Sequence, residues 1–128
     1  MITVDWVSPL RPDNTDIAEY TVRVEKALSG HFALNLITNE NAGHLGAYRF
    51  GAGPFYNIGN DVRFHGEILS ACRKASGVVI AHDFRIQDLL IAHLKAEHDD
   101  WETAYRALMN QHYGREGKAA ARDFIAGK

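Results

Sequence analysis

The pattern that most restricts the fold is a strand, a helix and a strand in close succession, met twice. Ile2, Val4, Trp6 and Val7 form a short apolar run that reads as a strand. Ser8-Pro9-Leu10-Arg11-Pro12 stops it, because proline brings no amide to a ladder. Asp13, Asn14 and Thr15 are candidate N-caps for a helix over 16–28. In that helix Ile17, Tyr20, Val24, Ala27 and Leu28 recur at helical spacing, so one stripe faces a sheet. Residues 32–37 are a second short apolar strand. Loops this short between such elements call for a right-handed crossover and a parallel sheet. The unit then recurs, with a strand over 55–58 and Asn60 or Asp61 capping the next helix. Val62, Ile68, Leu69, Cys72 and Ala75 are its apolar side, and a strand ending at His82 follows.

Residues 38–53 carry Asn39, Asn41, Gly43, Gly46, Gly51 and Gly53 and are expected to be a loop with one weak strand or turn. From Phe84 onward the pattern is helical. Ile86, Leu89, Leu90, His93 and Leu94 make one face, and His98-Asp99-Asp100 breaks it with fresh caps. Trp101, Ala104, Tyr105, Leu108 and His112 continue, Tyr113-Gly114 supplies a C-cap, and 116–125 reads as a last helix. A length of 128 residues suits one domain over 1–128, with 84–128 mostly helical.

The totals exclude several classes. With 14 basic and 16 acidic residues and no run of like charge, the chain lacks the basic face that phosphate contacts need, so no nucleic-acid partner is expected. Cys72 stands alone, which rules out an intramolecular disulfide and fits a reducing compartment. A buried small hydrophobe is the favoured role for it over a catalytic thiol. No apolar stretch approaches the ~18 residues of a membrane span. The opening residues also lack a signal peptide's basic start and long apolar core. The expected location is the cytoplasm, with peripheral contact at the inner membrane face as a variant. Gly114-Arg115-Glu116-Gly117-Lys118 has the wrong glycine spacing for a phosphate loop. Gly51-Ala52-Gly53 lacks the third glycine of a dinucleotide fingerprint. Seven histidines include no HExxH pair and no cysteine cluster, so no metal and no cofactor is expected.

One stretch stands out chemically. Val78, Val79, Ile80 and Ala81 read as a strand buried on both faces, and the run ends in His82-Asp83-Phe84. In open parallel sheets ligands bind beyond the carboxyl ends of strands, so this pair is placed for chemistry. The plainer alternative is a polar strand end with Asp83 capping the next helix.

Three stretches together resemble the N-terminal, acceptor-side half of a family 4 GT-B glycosyltransferase (glycosyl transferase group 1). Tyr56-Asn57-Ile58-Gly59-Asn60, followed by Phe64-His65, is similar to that family's Tyr-x-[Ile/Leu]-Gly-Asn and downstream His. Gly77 to Phe84 resembles its Gly-Val-Val-Val-Leu-His-Asp segment, and Ile17-Ala18-Glu19-Tyr20-Thr21 its first-helix opening. Tyr113-Gly114-Arg115-Glu116-Gly117 also has counterparts.

The resemblance implies an α/β, Rossmann-like, mainly parallel sheet flanked by helices, with a helical C-terminal segment. It implies a retaining enzyme that moves a sugar from a nucleotide-sugar to a glycan or glycolipid, as in polysaccharide biosynthesis. His82 and Asp83 would be catalytic, and Tyr56, Gly59, Asn60, His65, Asn14 and Thr15 would bind substrate. The nucleotide-sugar donor would be held mainly by a second domain that these residues do not include, so the isolated chain is expected to be inactive. A homodimer is expected to cover a face left open without that half, near the C-terminal helices. Two departures stand against the pattern. Asn14, Thr15 and Asp16 replace the loop glycines that would let amides approach donor phosphates, and Gln87 and Asp88 replace further histidines. The altered loop favours a rival reading, a non-catalytic module for a glycan or partner protein. A hydrolase using His82 and Asp83 would lack a Gly-x-Ser-x-Gly nucleophile elbow.

Overall fold

The computed structural model describes residues 1–128. Four strands, β1 (Ile2–Val7), β2 (Phe32–Ile37), β3 (Ala52–Ile58) and β4 (Val78–Ala81), pair in the order β2-β1-β3-β4. Every pairing is parallel. The helices are α1 (Asp16–Leu28), α2 (Asn39–Ala42), α3 (Leu45–Tyr48), α4 (Val62–Lys74), α5 (Gln87–Glu97) and α6 (Trp101–Ile125). This is a Rossmann-like α/β sheet flanked by helices, as the strand–helix–strand pattern predicts. By compactness the chain divides into 1–89, which holds the sheet, and 90–128. No helix is long and apolar enough to cross a membrane.

Alternation along the strands sorts the side chains onto two faces. Val7, Ile37, Tyr56 and Ile58 pack with Ala42, Leu45, Ile68, Ala71 and Leu89 in one core. Trp6, on the opposite face, donates its indole N–H to Thr21 of α1 at 3.0 Å and stacks on Phe55, with ring centroids 6.1 Å apart. α1 and α4 begin where local chemistry says they should. The Thr15 side chain accepts from Ala18 N, and that of Asp61 from Arg63 N.

Two expectations need correction. β4 is not buried on both faces: it is the sheet's edge strand, with Val78 49% and Val79 51% exposed. Its apolar run reflects one paired side, not a central position. Residues 38–53 are also more ordered than their glycines and asparagines suggest, folding into α2, α3 and the start of β3. One cause is Asp5, fully buried on β1. Its Oδ1 accepts hydrogen bonds from Asn35 Nδ2 at 2.8 Å, Phe50 N at 3.2 Å and Gly51 N at 2.9 Å. Asn35 Nδ2 also donates to Tyr48 O, so one carboxylate ties the end of the crossover to the sheet, while Asn39 Oδ1 accepting from Ile68 N and the core residues Ala42 and Leu45 hold its start.

In residues 90–128 the core is Leu94, Tyr105 and Ala121, with Leu90, Ile91, Trp101, Ala104, Met109 and Ile125 packed around it. α6 is not straight. Gly114 has φ 63°, ψ −146°, and the rings of Tyr105 and Phe124 lie 5.6 Å apart. In a straight helix those residues would be about 28 Å apart. The helix therefore doubles back at Gly114 into two arms, which matches the cap and last helix expected there.

Candidate functional site

The three strand ends β1, β3 and β4 finish nearly level, with Val7 opposite Tyr56 and Ile58 opposite Ala81. The backbone of β4 pairs one residue further, His82 N donating to Ile58 O at 2.9 Å. β1 sits between β2 and β3, so the crossovers from β1 and β3 leave in opposite directions along the sheet. That is the switch point where open parallel sheets hold ligands. A cleft of about 600 Å³ opens there, within the range of small-molecule sites. Its walls come from the start of α1 (Asn14, Thr15, Asp16, Ile17, Tyr20), the start of α4 (Asn60, Asp61, Arg63, Phe64, His65) and the end of β4 (His82, Asp83), with Arg23 alongside.

His82 is half-buried. Its Nε2 lies 2.8 Å from Asn57 Oδ1, and its ring meets Tyr20 edge-on with centroids 4.8 Å apart. Burial pushes its pKa below the ordinary histidine value, and the Asp83 carboxylate only partly offsets that. His65 is 2% exposed, with Nδ1 3.0 Å from the Asn57 carbonyl. Burial lowers its pKa too, against the opposing bond to Asn57. Asp83 is exposed and its Oδ2 accepts from Asn60 N at 2.8 Å.

Six of the eight residues expected at a site line this one cleft: Asn14, Thr15, Asn60, His65, His82 and Asp83. Gly59 lies against three residues of its lining. A Cβ there would stand 2.7 Å from Ile17 Cδ1, 2.8 Å from His65 Nε2 and 3.1 Å from Asp83 Oδ2, so only glycine lets these three groups converge. Tyr56 lies elsewhere. It is 0% exposed and its hydroxyl donates to Ala75 O at 2.7 Å, so it is a core residue with no face for a ligand. Asn60 has both ends of its amide engaged: Nδ2 donates to Asp88 Oδ2 at 2.9 Å, and Oδ1 accepts from Leu89 N at 3.2 Å. It caps α5 from a distance and thereby fixes the loop that carries Asp83. Asp83 caps no helix of its own, since its carboxylate is turned to Asn60.

Sequence reasoning missed Asn57, Tyr20 and Phe64 as parts of this site. Asn57 is fully buried in β3, and its Nδ2 donates to Val7 O at 3.1 Å. A polar residue between Tyr56 and Ile58 in an apolar strand was the available signal, because a buried amide must find partners.

Charges of both signs line the cleft, with Arg23 and Arg63 beside Asp16, Asp61 and Asp83. Both helix N-termini at the cleft, which would otherwise attract anions, carry carboxylates, Asp16 on α1 and Asp61 on α4. Arg63 is committed to Asp61, its Nη2 donating to Asp61 Oδ2 at 2.6 Å. No group of three or more His, Cys, Asp or Glu side chains is placed to hold a metal ion. Comparison with protein-family models, with curated proteins and with solved structures gives no match to this chain.

Proposed function

We propose that this cleft is the acceptor side of a retaining glycosyltransferase, and that a second domain outside these 128 residues holds the nucleotide-sugar. The supporting observation is the cleft itself, where His82, Asp83 and His65 meet at the switch point of a parallel sheet. Its neutral imidazoles and carboxylates accept hydrogen bonds, which suits sugar hydroxyls and disfavours phosphate. In the reaction the bond from the sugar's anomeric carbon to the leaving phosphate breaks, and an acceptor hydroxyl oxygen bonds to that carbon on the same face. The hydroxyl proton passes to the departing phosphate oxygen. His82 faces the positive charge that develops on the ring, with its lone pair and the neighbouring Asp83 carboxylate supplying electrostatic stabilisation. Asp83 orients the acceptor hydroxyl, and Asn14 and Thr15 contact the sugar at the α1 side. Sugars reach this site in the cytoplasm, at or near the inner membrane face. A second copy of the chain covers exposed apolar surface; Val78, Val79 and Phe84 at the β4 edge are exposed, so the dimer face is assigned there and not to the C-terminal helices expected from the sequence.

Asp16 at the start of α1 favours a second reading, a binding module for a glycan or a partner protein without chemistry. NMR shift mapping on the 128-residue chain tests the sugar site common to both. A panel of neutral oligosaccharides is expected to move Tyr20, His65, His82 and Asp83, while uridine diphosphate leaves them still. Shifts confined to another surface would overturn the assignment of this cleft.

A further inference from the structure

Asn57 makes three contacts, and together they leave the two histidines of the cleft no choice of tautomer. The Val7 carbonyl can only accept a hydrogen bond, so the group 3.1 Å from it must be the amide nitrogen of Asn57. That fixes the orientation of the amide. Its oxygen is then the group 2.8 Å from His82 Nε2, and an amide oxygen can only accept, so Nε2 carries the hydrogen and Nδ1 the lone pair. The main-chain carbonyl of the same residue lies 3.0 Å from His65 Nδ1. By the same reasoning His65 is protonated at Nδ1 and bears its lone pair at Nε2. That nitrogen is the one that stands 2.8 Å from where Gly59 would carry a Cβ, beside Asp83 Oδ2. All of the atoms involved sit in or against a fully buried residue, where an unmade bond is costly.

We propose that Asn57 is a positioning residue, holding His82 and His65 in opposite tautomers so that each offers an unprotonated nitrogen to hydroxyl groups in the cleft. The Tyr20 ring, edge-on to His82 at 4.8 Å, packs on the imidazole from the α1 side. The purpose of the arrangement rests on the acceptor-binding reading, whereas the tautomers themselves are measured without any ligand.

Imidazole nitrogen-15 spectra of the full 128-residue chain at pH 7.5 provide the test. The expected spectrum shows His82 with the hydrogen on Nε2 alone and His65 with it on Nδ1 alone. The Nδ1–H form of His65 is the more telling of the two, since it requires its particular acceptor. In Asn57→Asp the carboxylate still accepts from His82, so that tautomer persists while the His82 titration midpoint rises by about 1–3 pH units. The other charges at the cleft, Asp16, Asp61, Asp83, Arg23 and Arg63, are the same in both proteins, so the difference isolates position 57. His82 protonated at Nδ1, or His65 at Nε2, in the unsubstituted chain would overturn the proposal, and this reading stands even if the variant does not fold. A fast-exchanging mixture of tautomers at either ring would overturn it as well. Correct tautomers in a chain that binds sugars at another surface would remove the acceptor reading and leave the positioning role of Asn57 intact.

Discussion

At the scale of single residues, two buried polar groups do most to shape the molecule, Asn57 at the cleft and Asp5 under the crossover. For Asp5, burial alone would raise the carboxyl pKa, but the hydrogen bonds from Asn35, Phe50 and Gly51 and the nearby Arg49 outweigh it, and the net shift is downward. Its Oδ2 accepts no hydrogen bond and lies 3.5 Å from Arg49 Nε, within ion-pair range. A lowered acid pKa means that the unfolded chain binds the proton more tightly, so the Asp5 contribution is present above about pH 4 and is lost as pH falls through the folded value. Asp5→Ala leaves buried donors unpaired and is expected to cost about 3 kcal/mol. Urea unfolding at pH 7 and pH 3 checks both points, since the cost of the substitution should shrink at the lower pH. At Gly59 the expectation concerns the site as well as stability. Gly59→Ala pushes His65, Asp83 and Ile17 apart and costs about 1–3 kcal/mol. It should also abolish the sugar-induced shifts in NMR mapping, whereas intact binding would show that the convergence of those groups is unnecessary.

At the scale of elements, the sequence carried the regular parts and concealed the tertiary ones. The bounds of β2 and α1 follow from local signals alone, apolar runs and the Thr15 cap, and so does the turn-back at Gly114. The crossover over 38–53 was illegible because its partners are remote in sequence: the Asp5 carboxylate on β1 for Phe50 and Gly51, and Ile68 of α4 for Asn39. β4 misled for a different reason: a run of Val and Ile is the same whether a strand has neighbours on one side or two. Most of the site was legible, because His82, Asp83, His65 and Asn60 follow strand ends or open helices. Tyr56 was assigned to ligand binding on motif likeness, yet it is fully buried and its hydroxyl is spent on Ala75. Glycine substitutions test the doubled-back α6. Gly114 occupies a region nearly closed to other residues, so Gly114→Ala should cost about 1–3 kcal/mol. In Gly117→Ala the new methyl would run into the Met109 carbonyl and the Tyr113 Cβ, a cost of about 1–3 kcal/mol by overpacking. Gly46→Ala, with open space around its Cβ, should be neutral or better. Hydrogen exchange over 101–125 should quicken in the first two variants and stay unchanged in the third.

At the scale of the whole molecule, the proposed function makes the chain the acceptor-binding part of a two-part active site. The purified 128-residue chain is therefore expected to show no turnover of any nucleotide-sugar, and measurable transfer by it would falsify the division of labour. The edge strand carries no charge to discourage pairing, and Phe84 beside it is fully exposed. Sedimentation should accordingly show concentration-dependent dimers that weaken when Val79 is replaced by lysine. A monomer at millimolar concentration would contradict the second-copy proposal. The most direct measurement is transferase activity in a protein that joins this chain to a nucleotide-sugar-binding half, compared with its His82→Ala variant. Loss of electrostatic stabilisation at the reacting carbon predicts a fall in kcat of about a hundredfold or more, with the fold intact. Unchanged kcat in that variant would show that His82 lines the cleft without taking part in the chemistry.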